Sequence, residues 1–427
     1  MENFLHRLSS ALWGGPLLIL IVCAGVYFTI KLRLPQIRLL PEAAKVSFGK
    51  GGSAFSSLCT FLSAAMGTGN IIGVAVCMNE GGPGAVFWMG LSAFLLMPLV
   101  FSESFLAVRY KDKAIGAAGY MKRGKIYSLL GLLSAIFGMG TIVQVNAALG
   151  GAENYFFPSG APNIARVFLG AALSLLVGLV ITGSAKRIGK TAEKLVPFLA
   201  VVYFFSCAVI LIFSYKNIIP AITLIIKDAF SFKSAIHGAA GGAFLMISRG
   251  ISMGVFTNET GIGTSGIAVS GMGVSSPRDG GLISMFGVFI DTIVMCNLTA
   301  VCLIASGAYS SSPDGWEMTD TAFRSGFSFS PEMGSFILML CLFFFAFASM
   351  IGWSYYGEVF FRNLFPKGNI RIYHIAFISL CFLGVFIRKG SLFYITDLFN
   401  AFMAFPNIFA VMIHRGEVTA LAKTKTS

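Results

Sequence analysis

Charge is what this 427-residue chain most lacks, with Asp, Glu, Lys and Arg making up only 11% of it. Soluble globular chains carry about 25%, so too few polar residues remain here to cover a water-facing surface. An ordinary soluble domain is excluded. Histidine is scarce too, at 4 residues, and none stands at metal-ligand spacing from a cysteine. The 8 cysteines (Cys23, Cys59, Cys77, Cys207, Cys296, Cys302, Cys341 and Cys381) form no CxxC pair and all fall in apolar stretches, as small buried hydrophobes do. No cofactor motif emerges. Acidic residues number 18 against 31 Lys and Arg, giving a formal net charge of +13. That sign raises nucleic acid as a partner, but no basic face belongs to a soluble module. The basic residues lie in short loops between apolar runs, where the positive-inside rule accounts for them, and no nucleic-acid partner is expected.

Apolar residues dominate instead, at 56% of the chain, with 49 Gly, 42 Phe and 18 Met. Mean hydropathy is +0.81. This mixture suits close helix contacts, lipid-facing bulk and adaptable packing, so the bilayer is the expected solvent. A membrane-spanning helix needs about 20 mostly apolar residues. That window predicts spans near 12–32, 55–79, 84–108, 126–150, 164–184, 194–214, 239–264, 281–306, 334–361, 370–388 and 391–413. The fold class is therefore an all-α polytopic membrane protein of about eleven spans. The first run ends in Lys31-Leu32-Arg33 and lacks a small-residue cleavage motif, so it reads as a span rather than a signal peptide. Of the 31 Lys and Arg, 22 fall on alternate connections taken as cytoplasmic and 8 on the other side, with Arg249 inside a span. This bias predicts an N-terminus outside and a C-terminus inside a prokaryotic cell membrane. The outer connections at 215–238 and 308–333 are long and mixed in character, and short surface helices capping an outer vestibule are expected there.

Glycine and polar residues interrupt two of the spans. The second reads Ser63-Ala64-Ala65-Met66-Gly67-Thr68-Gly69-Asn70-Ile71-Ile72-Gly73, and the seventh reads Phe256-Thr257-Asn258-Glu259-Thr260-Gly261-Ile262-Gly263-Thr264. A helix-interior glycine costs up to about 1 kcal/mol relative to alanine, so each Gly-x-Gly weakens its helix at mid-membrane depth. Irregular backbone is tolerated there only when it is buried in protein or lines a cavity. Unwinding frees carbonyls for a cation and leaves a half-helix N-terminus whose amides can hold a carboxylate. Small-residue helix packing would explain either site by itself. With the first span set aside as an extra helix, however, the broken ones open each half of five, and paired interruptions of that kind point to a midplane binding site. Five spans reverse topology, so the halves would be inverted. The implied divisions are 1–54 (extra helix and cytoplasmic loop), 55–214 (first repeat), 215–238 (outer loop), 239–413 (second repeat) and 414–427 (tail).

Charged groups inside spans are costly and call for a role. Glu259 sits in the second break. Glu103 suits a structural role, accepting hydrogen bonds from unwound backbone. Asp291 suits either a cation or a hydrogen bond to a neighbouring helix. Gln144 and Asn146, with Ser349, Trp353, Ser354 and Tyr355, add neutral polar groups that fit a zwitterionic ligand or interhelical hydrogen bonds.

At these residues the chain resembles the alanine or glycine:cation symporter family (sodium:alanine symporters) of the amino acid–polyamine–organocation superfamily. The matching segments are GTGNIIGVA and GGPGAVFWMG (67–75 and 81–90), QVNAA (144–148), KRIGKTAEKLVPF (186–198), GVFTNETGIG (254–263), DTIVMCNLTA (291–300), GWSYYGE (352–358) and DLFNAFMAFPN (397–407). Their order from end to end makes the set specific. The resemblance implies a leucine-transporter-like inverted repeat of five and five helices behind one extra helix. It implies symport of a small neutral amino acid, alanine or glycine, with Na⁺ as coupling ion and less often H⁺. It places Gly67, Thr68, Gly69, Asn70, Gln144, Phe256, Thr257, Ser349 and Trp353 at the substrate, with the Thr68 and Gly69 amides on its carboxylate. One cation site would use the Ala65 carbonyl, Asn70 and Thr257. A second would use the Ser63 and Met66 carbonyls with Ser349. Two departures bear on this: the adjacent Ser/Thr pair usual in the family reads Ala348-Ser349, and the usual NEAGMGSAP reads NETGIGTSG.

Other classes fit less well. Gly250-Ile251-Ser252-Met253-Gly254 spells G-x-S-x-G and Gly261 to Gly266 spells G-x-G-x-x-G, but neither has the strand-turn-helix setting that such enzyme motifs require. A channel would need a continuous polar pore, and a sensor that has lost transport would usually add a soluble output domain. No motif specifies an oligomeric state.

Overall fold

The computed structural model describes residues 2–13, 15–49, 52–158, 160, 162–183, 185–231, 241–312, 314–387 and 391–421. The end of the outer loop expected at 215–238, residues 388–390 with Arg388 and Lys389, and the last residues of the expected tail lie outside them. Among the described residues every regular element is helical. In chain order come α1 (Glu2–Trp13), α2 (Pro16–Lys31), the short α3 (Pro35–Arg38) and α4 (Leu40–Ser47), then α5 (Ser53–Ala65) and α6 (Ile72–Gly81). There follow α7 (Gly84–Arg109), α8 (Gly124–Phe137), α9 (Ile142–Phe156), α10 (Asn163–Ile181), α11 (Ala185–Phe213) and α12 (Ile218–Ala229). The second part holds α13 (Gly241–Asn258), α14 (Ser265–Gly271), α15 (Pro277–Val288), a wider π segment (Phe289–Cys296) and α16 (Asn297–Ala305). Last come α17 (Gly315–Gly326), α18 (Pro331–Leu364), α19 (Ile370–Leu383), α20 (Ser391–Ile413) and α21 (Arg415–Leu421).

Local chemistry sets many of these ends. Proline opens α2, α3, α15 and α18, where its missing N–H has no helical partner to lose. Asp314 caps α17 by accepting from the Trp316 and Glu317 amides, and Asn369 caps α19 through Arg371. The two long connections hold short helices, α12 and α17, as expected. Among the described residues seven helical stretches are long and apolar enough to cross a membrane, while Ser53–Ala65, Ile370–Phe386 and Leu398–Ile413 are apolar but shorter.

Both predicted interruptions are present, between α5 and α6 and between α13 and α14. The expected span at 126–150 is interrupted as well: α8 ends at Phe137 and α9 starts at Ile142. Gly138-Met139-Gly140-Thr141 repeats the Gly-x-Gly pattern of the other two breaks, and the Thr141 hydroxyl donates back to the Ile136 carbonyl.

Two long helices carry the packing. The middle and C-terminal part of α7 is buried, with α2, α12, α13, α14 and α15 laid along it. Glycine allows the closest of these approaches. A Cβ on Gly250 or Gly254 would run into the Ala85 carbonyl or the Ser92 hydroxyl. The G-x-S-x-G segment is thus the contact stripe of α13 on α7. The other long helix, α18, packs on α5, α8, α9, α11 and α17.

Candidate functional site

The first break begins where α5 stops at Ala65. Gly67 takes an extended conformation and Thr68–Asn70 form one tight turn before α6. The last carbonyls of α5 have no following turn to bond, and the first amides after the break have no preceding one. Among the described residues nothing hydrogen-bonds the Thr68 and Gly69 amides, and both residues stay partly exposed. Asn70 is fully buried and uses both ends of its amide. Its Oδ1 accepts from the Gly67 amide at 3.2 Å, while its Nδ2 donates to Asp291 Oδ1 at 2.8 Å and to the Asp291 carbonyl at 3.1 Å. The Asn70 carbonyl accepts from Thr299 Oγ1 at 2.8 Å.

Asp291 projects from the π segment, whose wider turn re-aims side chains. Thr292 Oγ1 donates to its other oxygen at 2.8 Å and lies 3.2 Å from Thr257 Oγ1 on α13. Asn70, Asp291, Thr292 and Thr257 therefore form one buried polar cluster joining both interrupted helices to α15–α16. The sequence left Asp291 between a cation and a helix contact. Its carboxylate makes the helix contact through Asn70, and it does so beside two of the three groups expected at the first cation site.

The second break starts at Glu259, a non-glycine residue with φ +53°, followed by Gly261 and Gly263 at +86° and +82°. Glycine suits such backbone; a glutamate keeps it only where its surroundings hold it. They do. Glu259 Oε1 accepts from the Trp353 indole N–H at 2.7 Å and Oε2 accepts from Thr264 Oγ1 at 2.8 Å. Asn258 Oδ1 accepts from the amide and the hydroxyl of Thr260. Glu103, on α7, was expected to accept from unwound backbone; its carboxyl accepts from two side chains, and one of them, Asn407, links it to the break. The carboxyl accepts from Asn407 Nδ2 at 2.7 Å and from Ser265 Oγ at 3.2 Å, and Asn407 also donates to the Gly261 carbonyl at 2.8 Å.

The two breaks face one another. A Cβ built on Gly69 would lie 3.5 Å from Thr257 Cγ2 and 3.6 Å from the Phe256 ring. One built on Gly67 would lie 3.5 Å from Gln144 Nε2 and 3.6 Å from Ser349 Oγ. Gln144 reaches this point from the first turn of α9, directly after the third break, and its buried Oε1 has no hydrogen-bond partner among the described residues. The structure thus brings Gly67, Thr68, Gly69, Asn70, Gln144, Phe256, Thr257 and Ser349 together. Trp353 stands apart: it is fully buried, its one polar contact is with Glu259, and its Cβ packs near Gly140. At the expected second cation site, Ser349 Oγ donates to the Ala64 carbonyl at 3.0 Å, and the Ser63 hydroxyl turns back to the Thr60 carbonyl at 2.8 Å. Thr292 and Thr299 were not anticipated; each is one threonine among apolar residues, and only its contact with a distant break distinguishes it.

Interrupted helices that meet at mid-span around free amides, hydroxyls and one carboxylate are the architecture of a membrane transporter, whose ligands bind between half-helices. A family model described as the sodium:alanine symporter family matches residues 1–425, and the chain belongs to that family. It is 39% identical over 434 residues to an uncharacterised transporter of Haemophilus influenzae, covering 96% of this chain and 93% of that one. It is 33% identical over 446 residues to the sodium/alanine symporter AgcS of Methanococcus maripaludis, covering 99% and 96%. The crystal structure of MhsT in complex with L-phenylalanine superposes with a TM-score of 0.61 at 17% identity, over 87% of this chain and 92% of that one, a likeness of fold. The chain is a multi-pass membrane transporter of the cation-coupled amino-acid symporter class, not an enzyme.

Proposed function

We propose that the protein carries alanine or glycine inward together with Na⁺ by alternating access. The observation that supports this most is the pairing at the first break: amides of Thr68 and Gly69 left without partners, next to the buried Asn70–Asp291–Thr257 cluster. The amides would hold the substrate carboxylate, as half-helix N-termini hold anions. The unpartnered Gln144 Oε1 offers an acceptor for the α-ammonium group. Phe256, Ser349 and Gln144 stand close to the glycines of the break, which favours a side chain no larger than a methyl group. Asn70, Thr257 and the Ala65 carbonyl, with Asp291 added, would take one Na⁺. The Ser63 and Met66 carbonyls with Ser349 would take a second, after the Ser349 hydroxyl leaves Ala64. In this reading α5–α11 and α13–α20 are the two inverted repeats, and the basic loops face the cytoplasm.

Uptake of radiolabelled alanine and glycine into proteoliposomes tests it. Accumulation is expected under an inward Na⁺ gradient and not in a K⁺ control. Accumulation under a proton gradient alone would instead make H⁺ the coupling ion, a reading that the buried Asp291 carboxylate also accommodates. No accumulation of either amino acid under any gradient would sink the proposal and leave another substrate, or a sensor that does not transport.

A further inference from the structure

One face of α18 touches both interrupted helices with side chains a single turn apart. Ser349 donates to the Ala64 carbonyl at 3.0 Å, in the last turn before the first break. Four residues on, and so on the same helix face, Trp353 donates to Glu259 Oε1 at 2.7 Å, at the start of the second break. Between them Gly352 lies so close to α5 that an added Cβ would stand 2.7 Å from Ser63 Oγ and 2.6 Å from the Ala64 amide. Glu259 also binds Thr264 at 2.8 Å, so its one carboxylate ties together the end of α13, the start of α14 and α18. Its left-handed backbone needs such ties. Both donors are neutral: with an amide in place of the carboxylate, its oxygen still accepts from the Trp353 indole, and the Thr264 hydroxyl, which can also accept, takes a bond from the amide nitrogen. Two residues before Glu259 stands Thr257, in the cluster with Asn70 and Asp291.

We propose that Glu259 and Trp353 are positioning residues for the cation. Their hydrogen bond fixes the second break against α18, and α18 is fixed in turn against the first break by the close approach of Gly352 to Ser63 and Ala64, which holds whether or not the Ser349 hydroxyl stays on Ala64. Thr257 and the end of α5 are thereby held in register, and the cation site exists only while both are. This rests on the transport reading above but assigns Trp353 to Glu259 rather than to the wall of the substrate pocket.

The test measures Na⁺ binding without substrate, as Na⁺-dependent protection of residues 66–71 and 257–264 from hydrogen exchange in the purified, monodisperse full-length protein. Alanine affinity is measured separately at saturating Na⁺. Trp353→Phe and Glu259→Leu should each raise the half-saturating Na⁺ concentration at least ~10-fold, while alanine affinity at saturating Na⁺ stays within about 2-fold. Glu259→Gln, which keeps an oxygen for Trp353, should stay within about 3-fold of the unaltered protein, and the Trp353→Phe/Glu259→Leu pair should be no worse than Glu259→Leu alone. If Glu259→Leu does not fold, Thr264→Val replaces it, removing the other donor with the same expected direction. An alanine affinity that falls in Trp353→Phe while the Na⁺ response stays put would return the indole to the pocket wall and overturn the proposal. So would additive effects of the pair, or a Gln variant as weak as the Leu one. Absence of any Na⁺ response in the unaltered protein is a different result, since it overturns the Na⁺ reading itself.

Discussion

In the proposed reading Asn70 joins the two ligands at the level of single atoms. Its Oδ1 holds the Gly67 amide at the mouth of the first break, while its Nδ2 holds the Asp291 carboxylate on another helix. A group that anchors both the substrate side and the cation side couples them reciprocally. Asn70→Ala removes hydrogen bonds to a buried charge-capable group, worth about 1.5–3 kcal/mol. The expected result is a half-saturating Na⁺ concentration raised at least ~10-fold, with alanine affinity at low Na⁺ falling in parallel. Equilibrium binding of labelled alanine across a Na⁺ series reads both; unchanged alanine affinity at low and at saturating Na⁺ alike would reject the shared role. Asn70 itself was legible, because an amide after Gly-x-Gly inside an apolar run has few other uses. Its partner was not. Asp291 lies 221 residues away, and no periodicity in either segment says that the two meet.

Among the elements, those with a local chemical signature were the readable ones. The breaks after α5 and α13 announced themselves by Gly-x-Gly next to a polar residue, and both are where that pattern puts them. The same Gly-x-Gly at Gly138-Met139-Gly140-Thr141 marks the third break, which falls inside the span expected to run unbroken over 126–150. Its consequence is large, since the break is what delivers Gln144 to the site. The π segment carries no comparable sign, and it alone turns Asp291 towards Asn70. Helix α12 was expected only as a surface element, but its Asp228 has a specific task. It accepts from the Gly84 amide at 2.8 Å and so caps α7 from outside that helix, while the Ala229 carbonyl accepts from the Trp88 indole at 3.3 Å. Loss of a helix cap costs about 1 kcal/mol. Asp228→Ala should therefore lower the thermal midpoint of the detergent-solubilised protein by a few degrees, and Asp228→Asn, which keeps an acceptor, should recover most of the loss. Equal midpoints for Asp228→Ala and the unaltered protein would show that the cap carries no stability.

In the whole molecule the last described helix is tied to the bundle through side chains. Helix α21 returns to the C-terminal end of α7, where Glu417 accepts from Arg109 Nε at 3.0 Å, from the Tyr110 hydroxyl at 2.9 Å and from His414 Nδ1 at 2.8 Å. His414 in turn reaches the Tyr120 carbonyl at 3.2 Å. Burial by itself would push the Glu417 carboxyl up, but the hydrogen bonds from His414, Tyr110 and Arg109 outweigh it and hold the group below the ordinary glutamate value. A carboxyl lowered in this way favours the docked tail. That contribution is complete above the carboxyl's value in the free chain, about 4.3, and is lost as pH falls through its lower value in the folded protein. Residues 415–421 should accordingly be docked at neutral pH and released under acid, so their protection factors, the exchange rates taken relative to the intrinsic rate at each pH, should fall across that acid range while the buried part of α7 stays protected. Glu417→Gln removes the titrating group, so its protection factors should already be low at neutral pH and change little on acidification. A tail whose protection ignores pH in the unaltered protein, or follows it equally in Glu417→Gln, would place its anchor elsewhere. The remaining candidate would then be the side of Val418, which is buried and independent of charge.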